Sequence, residues 1–367
     1  VNLLPWLISL HLTATLTVAD AAPPLCAPNV QAREPMACAA LGPGHYTAQL
    51  AAARLPSELP DPPTQKLTRF DPLVEYAYAR VTTLDAPLFA SPDEAAAGIV
   101  KRTIGKGFLY VTLSGAVQLG DLALYQIRTG EYIRASDVKG VTPTAFQGVG
   151  VTGNPALPFG WLLTNVRPSR VPGETPSQTV PRLPRRKIVQ IFATHKVGPW
   201  EWYLIGPDQW IEQRVIAKIE TYAPPAGVSG KWVMVNLYEQ TLTAYEDDQM
   251  IFATLVSSGL DKWPTRPGLF KIWARLLVDG MQGSYEPDGS DFYSLEAVPW
   301  VMYFDGSRAL HGEYWHDRLG FKRSHGCVNL APQDAHWLYN WAEKGTPVWV
   351  YDPSGQTPTD EEVAEGP

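Results

Sequence analysis

Proline and glycine interrupt this chain too often for long helices to form. Thirty-four prolines and thirty glycines are spread over 367 residues. Proline lacks the N–H that a helix interior needs, and glycine gives up extra backbone entropy there. What remains between the breaks is a series of short runs rich in β-formers, such as residues 78–82, 108–113 and 122–127. A mainly β fold is therefore expected. One helix is predicted, over residues 332–344, with Pro332 in its first turn, Gly345 just past its end, and Ala335, Leu338, Trp341 and Ala342 on one face. His336 falls on this helix and reads as a packing or surface residue.

The length allows two or three domains. A net charge of −7 argues against nucleic-acid binding, which needs a basic surface to displace counterions. The one basic cluster, residues 182–187, is broken by Pro184 and reads as a solvated loop.

Residues 1–21 form an apolar run ending in Ala19-Asp20-Ala21, the pattern of a secretory signal peptide, so export is expected, with no stable membrane span once the signal is removed. Residues 22–72 are rich in Ala and Pro and read as a linker, with a short helix at 48–54. In an oxidising compartment Cys26 and Cys38 could pair and leave Cys327 as the free thiol. Residues 73–142 and 155–222 read as two small β modules. Their clearest echo is Y-Q-I-R-T-G-E-Y-I at 125–133 against Y-L-I-G-P-D-Q-W-I at 203–211. These segments resemble bacterial SH3-like barrels, which would space the next domain or attach it to the wall; one larger β domain is the alternative. A short linker at 222–230 leads into 231–351, where runs at 232–237, 241–245 and 250–256 predict antiparallel hairpins. Residues 352–367 form an acidic tail.

The chemistry gathers in residues 309–330. His311, His316 and His325, three of the seven histidines, surround Cys327, one of three cysteines. A thiol attacks as its thiolate, and an imidazole can take the proton. Gly326 before the thiol suits a tight turn, and the N–H groups of Gly326 and Cys327 are candidate oxyanion donors. A zinc site built from the same side chains has poor ligand spacing, since His325 and Cys327 are only two apart. No metal or other cofactor is expected.

Taken together, H-G at 311–312, S-H-G-C-V-N at 324–329, S-S-G at 257–259, P-T-R-P-G-L-F-K-I at 264–272 and G-T-P-V-W-V at 345–350 resemble the L,D-transpeptidase catalytic domain, or YkuD family, over roughly 231–351. The resemblance implies a β-sandwich-like domain in which Cys327 is the nucleophile and His311 the general base, oriented by the Gly312 carbonyl. It implies a supporting role for His325 and a place for Asn329 in the substrate pocket, where Ser324 is also expected. A polar insertion at 281–296 is expected to cover Cys327, with Tyr293 meeting substrate; Trp315, close to the motif, is a candidate aromatic platform.

The function so implied is that of an exported, wall-associated enzyme that cross-links peptidoglycan stem peptides through a Cys327 thioester. A carboxypeptidase or hydrolase using the same acyl-enzyme, and a wall-binding protein without activity, are the alternatives. The oligomeric state is not legible.

Overall fold

The computed structural model describes residues 25–26, 39–40 and 61–358, except 72, 73, 75, 285 and 287. The expected signal peptide, the helix at 48–54, the Cys26–Cys38 pairing and the end of the acidic tail lie outside the described residues. The described chain is mainly β, as the breaks in its sequence predict. Its α-helices among the described residues are Pro92–Ala96 and Pro332–Trp341. The second is the predicted helix, ending three residues early because Ala342 turns extended and the Glu343 N–H is taken by Thr346 Oγ1.

The scaffold begins with the meander Lys231–Asn236, Thr241–Glu246 and Gln249–Ser257. Pro347–Tyr351 lies parallel beside its first strand, and Gly268–Lys271 pairs with Pro347–Tyr351. The three meander strands are buried on both faces. Val233, Val235, Leu242, Ala244 and Phe252 pack toward the Pro332–Trp341 helix. Trp232, Met234, Tyr245 and Leu255 on the other face meet Phe159, Trp161, Ala217 and Ile219 of the second module. Alternation in such strands separates two cores instead of core from water.

At its C-terminal end Gln249–Ser257 also joins a second sheet. There Val328–Leu330 pairs with Val256 and Ser257, Arg308–Gly312 runs parallel to Val328–Leu330, and Tyr293–Asp305 lies beyond. Ala274–Gly283 covers the far edge of that long strand along its whole length. The near edge is shared. Residues 302–305 pair with Arg308–Gly312, whereas residues 293–295 pair in parallel with Phe108–Tyr110 of the first module. Ala297 and Trp300 have positive φ in the unshared stretch between them. The strands flanking this stretch diverge, and the site lies in the gap.

The first module is two-faced for the same reason. Ala77–Val81 and Phe108–Leu119 pair antiparallel. One face of the pair, Ala79, Val81, Leu109 and Val111, forms the module's own core. The opposite face, with Tyr78 and Tyr110, packs on Leu295, Ala297 and Ala309 of the second sheet and on Tyr314. The module is thereby built into that sheet. In the second module two three-stranded sheets share a core of Leu162, Val189, Tyr203, Ile211 and Ile216. The sequence echo is a structural one: Tyr125 pairs with Ile133, and Tyr203 with Ile211, across matching hairpins.

Two expectations are corrected. Thr64–Lys66, read as linker, is a strand on Val149–Val151, which in turn pairs with Gln249–Ser257 of the meander. Its residues carry no apolar alternation, so a distant edge supplies the order. The polar insertion at 281–296 is strand at both ends: Ala274–Gly283 and Tyr293–Asp305 run into it, which leaves 284–292 between them.

Candidate active site

Parallel pairing sets the site. Leu310 lies opposite Val328, and His311 opposite Asn329. Side chains alternate along a strand, so His311, Asn329 and Cys327 just before the strand project from one face. All three line a cavity of about 460 Å³. Tyr293, Ser324 and His325 line it too, as do Trp263 and Trp315 from the catalytic domain and Arg80, Phe108 and Tyr110 from the first module.

The turn carrying the thiol is held from three sides. Gly326 has φ +108°, and a Cβ there would come 3.0 Å from Arg308 Nε. Thr265 Oγ1 donates to the Gly326 carbonyl at 2.8 Å and accepts from the Gly259 N–H at 2.9 Å. Ser324 Oγ donates to the Cys327 carbonyl and accepts from the Gly326 N–H at 3.1 Å. Ser324 is buried and holds the turn while also lining the cavity, and the Gly326 N–H, a candidate oxyanion donor, is bonded within the turn.

His311 is buried, with Nδ1 3.1 Å from the Gly312 carbonyl. A carbonyl only accepts, so the proton sits on Nδ1 and Nε2 is left as the base. Burial lowers the His311 pKa to about 4, against the opposing effect of that carbonyl. Burial also pushes the Cys327 thiol up to about 11, opposed by the Ala309 N–H and by Arg308. The resting pair is therefore thiol and neutral imidazole rather than the ion pair that the motif suggests.

His325 stacks on Trp263 at 3.7 Å between ring centroids and lies 4.8 Å from the Tyr293 ring. It thus forms wall beside the nucleophile, with Tyr293 on the same side. Trp315 lies 5.7 Å from the His311 ring. His336, as read from the sequence, packs elsewhere, between Phe70 and Trp300.

His316, counted with the other histidines near Cys327 in the sequence but given no role there, also lines the cavity. Its Nε2 is 3.2 Å from the Asn329 amide, and its Nδ1 accepts from the Arg318 N–H and lies 3.5 Å from Glu313 Oε1. The atom that faces Nε2 is the Asn329 amide nitrogen. Glu313 is fully buried, accepts from the His316 N–H, and has its pKa raised well above the usual carboxylate range by burial. Nothing in the local spacing marks His316. The turn at residues 313–318 brings it back to the floor of the cavity. Arg80, Phe108 and Tyr110 carry no local signal either, because their place in the cavity depends on pairing between distant strands.

Residues 230–350 match the family model of the L,D-transpeptidase catalytic domain, YkuD. The Bacillus subtilis (strain 168) protein YciB is 27% identical over 138 residues, 32% of this chain and 64% of that protein. L,D-transpeptidase 3 of Mycobacterium tuberculosis (strain ATCC 25618 / H37Rv) is 29% identical over 101 residues, 26% of this chain and 37% of that protein. Both carry L,D-transpeptidase in their names, and this chain spans less than two thirds of either. The NMR structure of the catalytic domain of the E. faecium L,D-transpeptidase is 27% identical, covering 34% of this chain and 100% of that one with a TM-score of 0.31. Residues 230–350 are thus similar to the L,D-transpeptidase catalytic domain of the YkuD family.

Proposed function

We propose that the protein is a peptidoglycan L,D-transpeptidase working through a Cys327 thioester. The observation that carries this reading is the shared cavity of Cys327 and a His311 whose Nε2 is left unprotonated by the Gly312 carbonyl. His311 Nε2 takes the thiol proton while Sγ attacks the carbonyl that joins an L-configured centre to the terminal D-residue of a stem peptide. The Cys327 N–H stabilises the oxyanion. The tetrahedral intermediate collapses as the amine of the D-residue leaves with the proton from His311. An acceptor amine then attacks the thioester, His311 takes its proton, and Cys327 returns as thiol. Water as acceptor would give hydrolysis.

His325, Trp263 and Tyr293 wall the donor peptide, and Asn329, held by His316, borders its floor. In this reading the protein works in the cell envelope after export. No helix among the described residues is long and apolar enough to cross a membrane.

The test is acylation by a carbapenem, whose strained lactam offers a carbonyl to the thiol, followed by mass spectrometry. The intact protein should gain one adduct on Cys327, and Cys327→Ala none. Incubation with a stem tetrapeptide and an acceptor amine should then release the terminal D-residue and yield a dimer. An adduct elsewhere, or release that survives Cys327→Ala, would overturn the proposal.

A further inference from the structure

The cavity that holds Cys327 is closed on one side by a domain outside the family match. Phe108 and Tyr110 lie on the strand that pairs with residues 293–295, and Arg80 sits directly opposite Tyr110 on the neighbouring strand. Cross-strand partners point to the same face, which here is the face turned toward the catalytic sheet. The join is tight. The Phe108 N–H donates to the Phe292 carbonyl at 2.9 Å, and a Cβ on Gly107 would come 2.3 Å from that oxygen. The module wall is therefore held at a fixed distance from the nucleophile.

Arg80 is exposed, and its guanidinium lies 5.9 Å from the centroid of the Phe108 ring. Among the described residues no carboxylate pairs with it. The carboxylate that lines the cavity, Asp291, accepts from Ser284 Oγ at 2.5 Å and the Glu286 N–H at 3.0 Å within its own loop. The Tyr110 hydroxyl beside Arg80 has no hydrogen-bond partner among the described residues. A cation and a phenolic donor thus line the cavity together without a protein acceptor. An Arg fork suits a carboxylate, which it can hold through two parallel N–H···O bonds.

We propose that Arg80, assisted by Tyr110, is a specificity-determining residue that binds a free side-chain carboxylate of the acidic stem peptide, so that the substrate site is completed by the first module. This rests on the transpeptidase reading for the identity of the peptide. The aromatic wall Phe108–Tyr110–Trp315 supports the peptide between that carboxylate and the scissile bond, with Tyr110 and Trp315 rings 6.4 Å apart.

The experiment uses two synthetic stem tetrapeptides that differ only in having this side-chain carboxylate free or amidated. Binding is measured by titration calorimetry on the full chain with Cys327→Ala, alone and combined with Arg80→Ala, Arg80→Lys or Arg80→Glu; turnover is measured in the Cys327 background. The free acid should bind about tenfold more tightly than the amide, a ratio of ~1.4 kcal/mol. Arg80→Ala should abolish that preference by weakening the acid alone, Arg80→Lys should restore part of it, and Arg80→Glu should invert it. Raised salt should shrink the ratio. Equal effects on both peptides, or no effect on either, would overturn the proposal. Binding with the predicted preference but no turnover would count against the catalytic reading and leave the Arg80 assignment supported.

Discussion

His316 Nε2 and the Asn329 side-chain amide meet at 3.2 Å in the Cys327 cavity, one strand position from the residues that flank the nucleophile. Asn329 lies opposite His311 in the sheet, so its hold on His316 fixes the surface beside the base. His316→Ala leaves Asn329 without that partner, and kcat/KM for acyl transfer should fall about tenfold, the effect of one lost hydrogen bond of ~1.4 kcal/mol. His316→Gln, whose side-chain amide can still hydrogen-bond the Asn329 amide, should recover most of it. Steady-state kinetics of the two variants with a stem peptide make the comparison.

The pH profile follows from the neutral resting pair. Burial holds His311 down to about 4 and raises the Cys327 thiol to about 11. General-base catalysis needs His311 deprotonated, so kcat/KM should rise through pH ~4 and then stay level across the neutral range. A resting thiolate–imidazolium pair would instead show both limbs of a bell close to neutrality. Single-turnover acylation from pH 3.5 to 9.5 separates the two, and a sharp maximum near pH 7 would contradict the neutral pair.

Gly326→Ala should separate folding of the turn from folding of the domain. At φ +108°, with Arg308 Nε 3.0 Å from the new Cβ, the substitution costs about 1–3 kcal/mol in local strain. The turn should relax by shifting Cys327, so alkylation of the thiol by a small neutral reagent should change in rate by more than tenfold while the far-UV spectrum stays that of the parent. An unchanged alkylation rate would show that the turn does not set the position of sulfur.

Asp334 should make stability depend on pH in an unusual direction. Burial raises its pKa to about 7, despite donation from Thr254 Oγ1 at 2.5 Å and the Gly148 N–H at 2.8 Å. An unfolded Asp titrates near ~3.9, so the folded state holds the proton more tightly. The stabilising contribution is complete below about pH 4 and lost as pH rises through about 7. Asp334→Asn can keep both contacts without ionising. Its Tm should exceed that of the parent at pH 8 by more than at pH 5, and equal differences at the two pH values would argue against the assignment.

Much of the site was legible because its parts are close in the chain. Cys327, Gly326, His325 and His311 with Gly312 fall within a short stretch whose chemistry needs only a turn and two adjacent strands. The matching hairpins at Tyr125–Ile133 and Tyr203–Ile211 were visible for the same reason, since each closes over a few residues. The role of Ser324 was not, because its hydroxyl could face substrate or its own turn, and only hydrogen-bond geometry decides.

By itself the sequence determined a β protein broken by proline and glycine, a helix that ends before Gly345, and a thiol flanked by imidazoles. These depend on local backbone preference and on spacing along the chain. Tertiary structure decided that residues 293–295 share an edge with Phe108–Tyr110, that Thr64–Lys66 becomes a strand, and that Arg80 faces the cavity of Cys327. Such pairings join residues far apart in the chain through backbone groups that every residue carries. They leave no periodicity to read, and only the folded sheet reveals them.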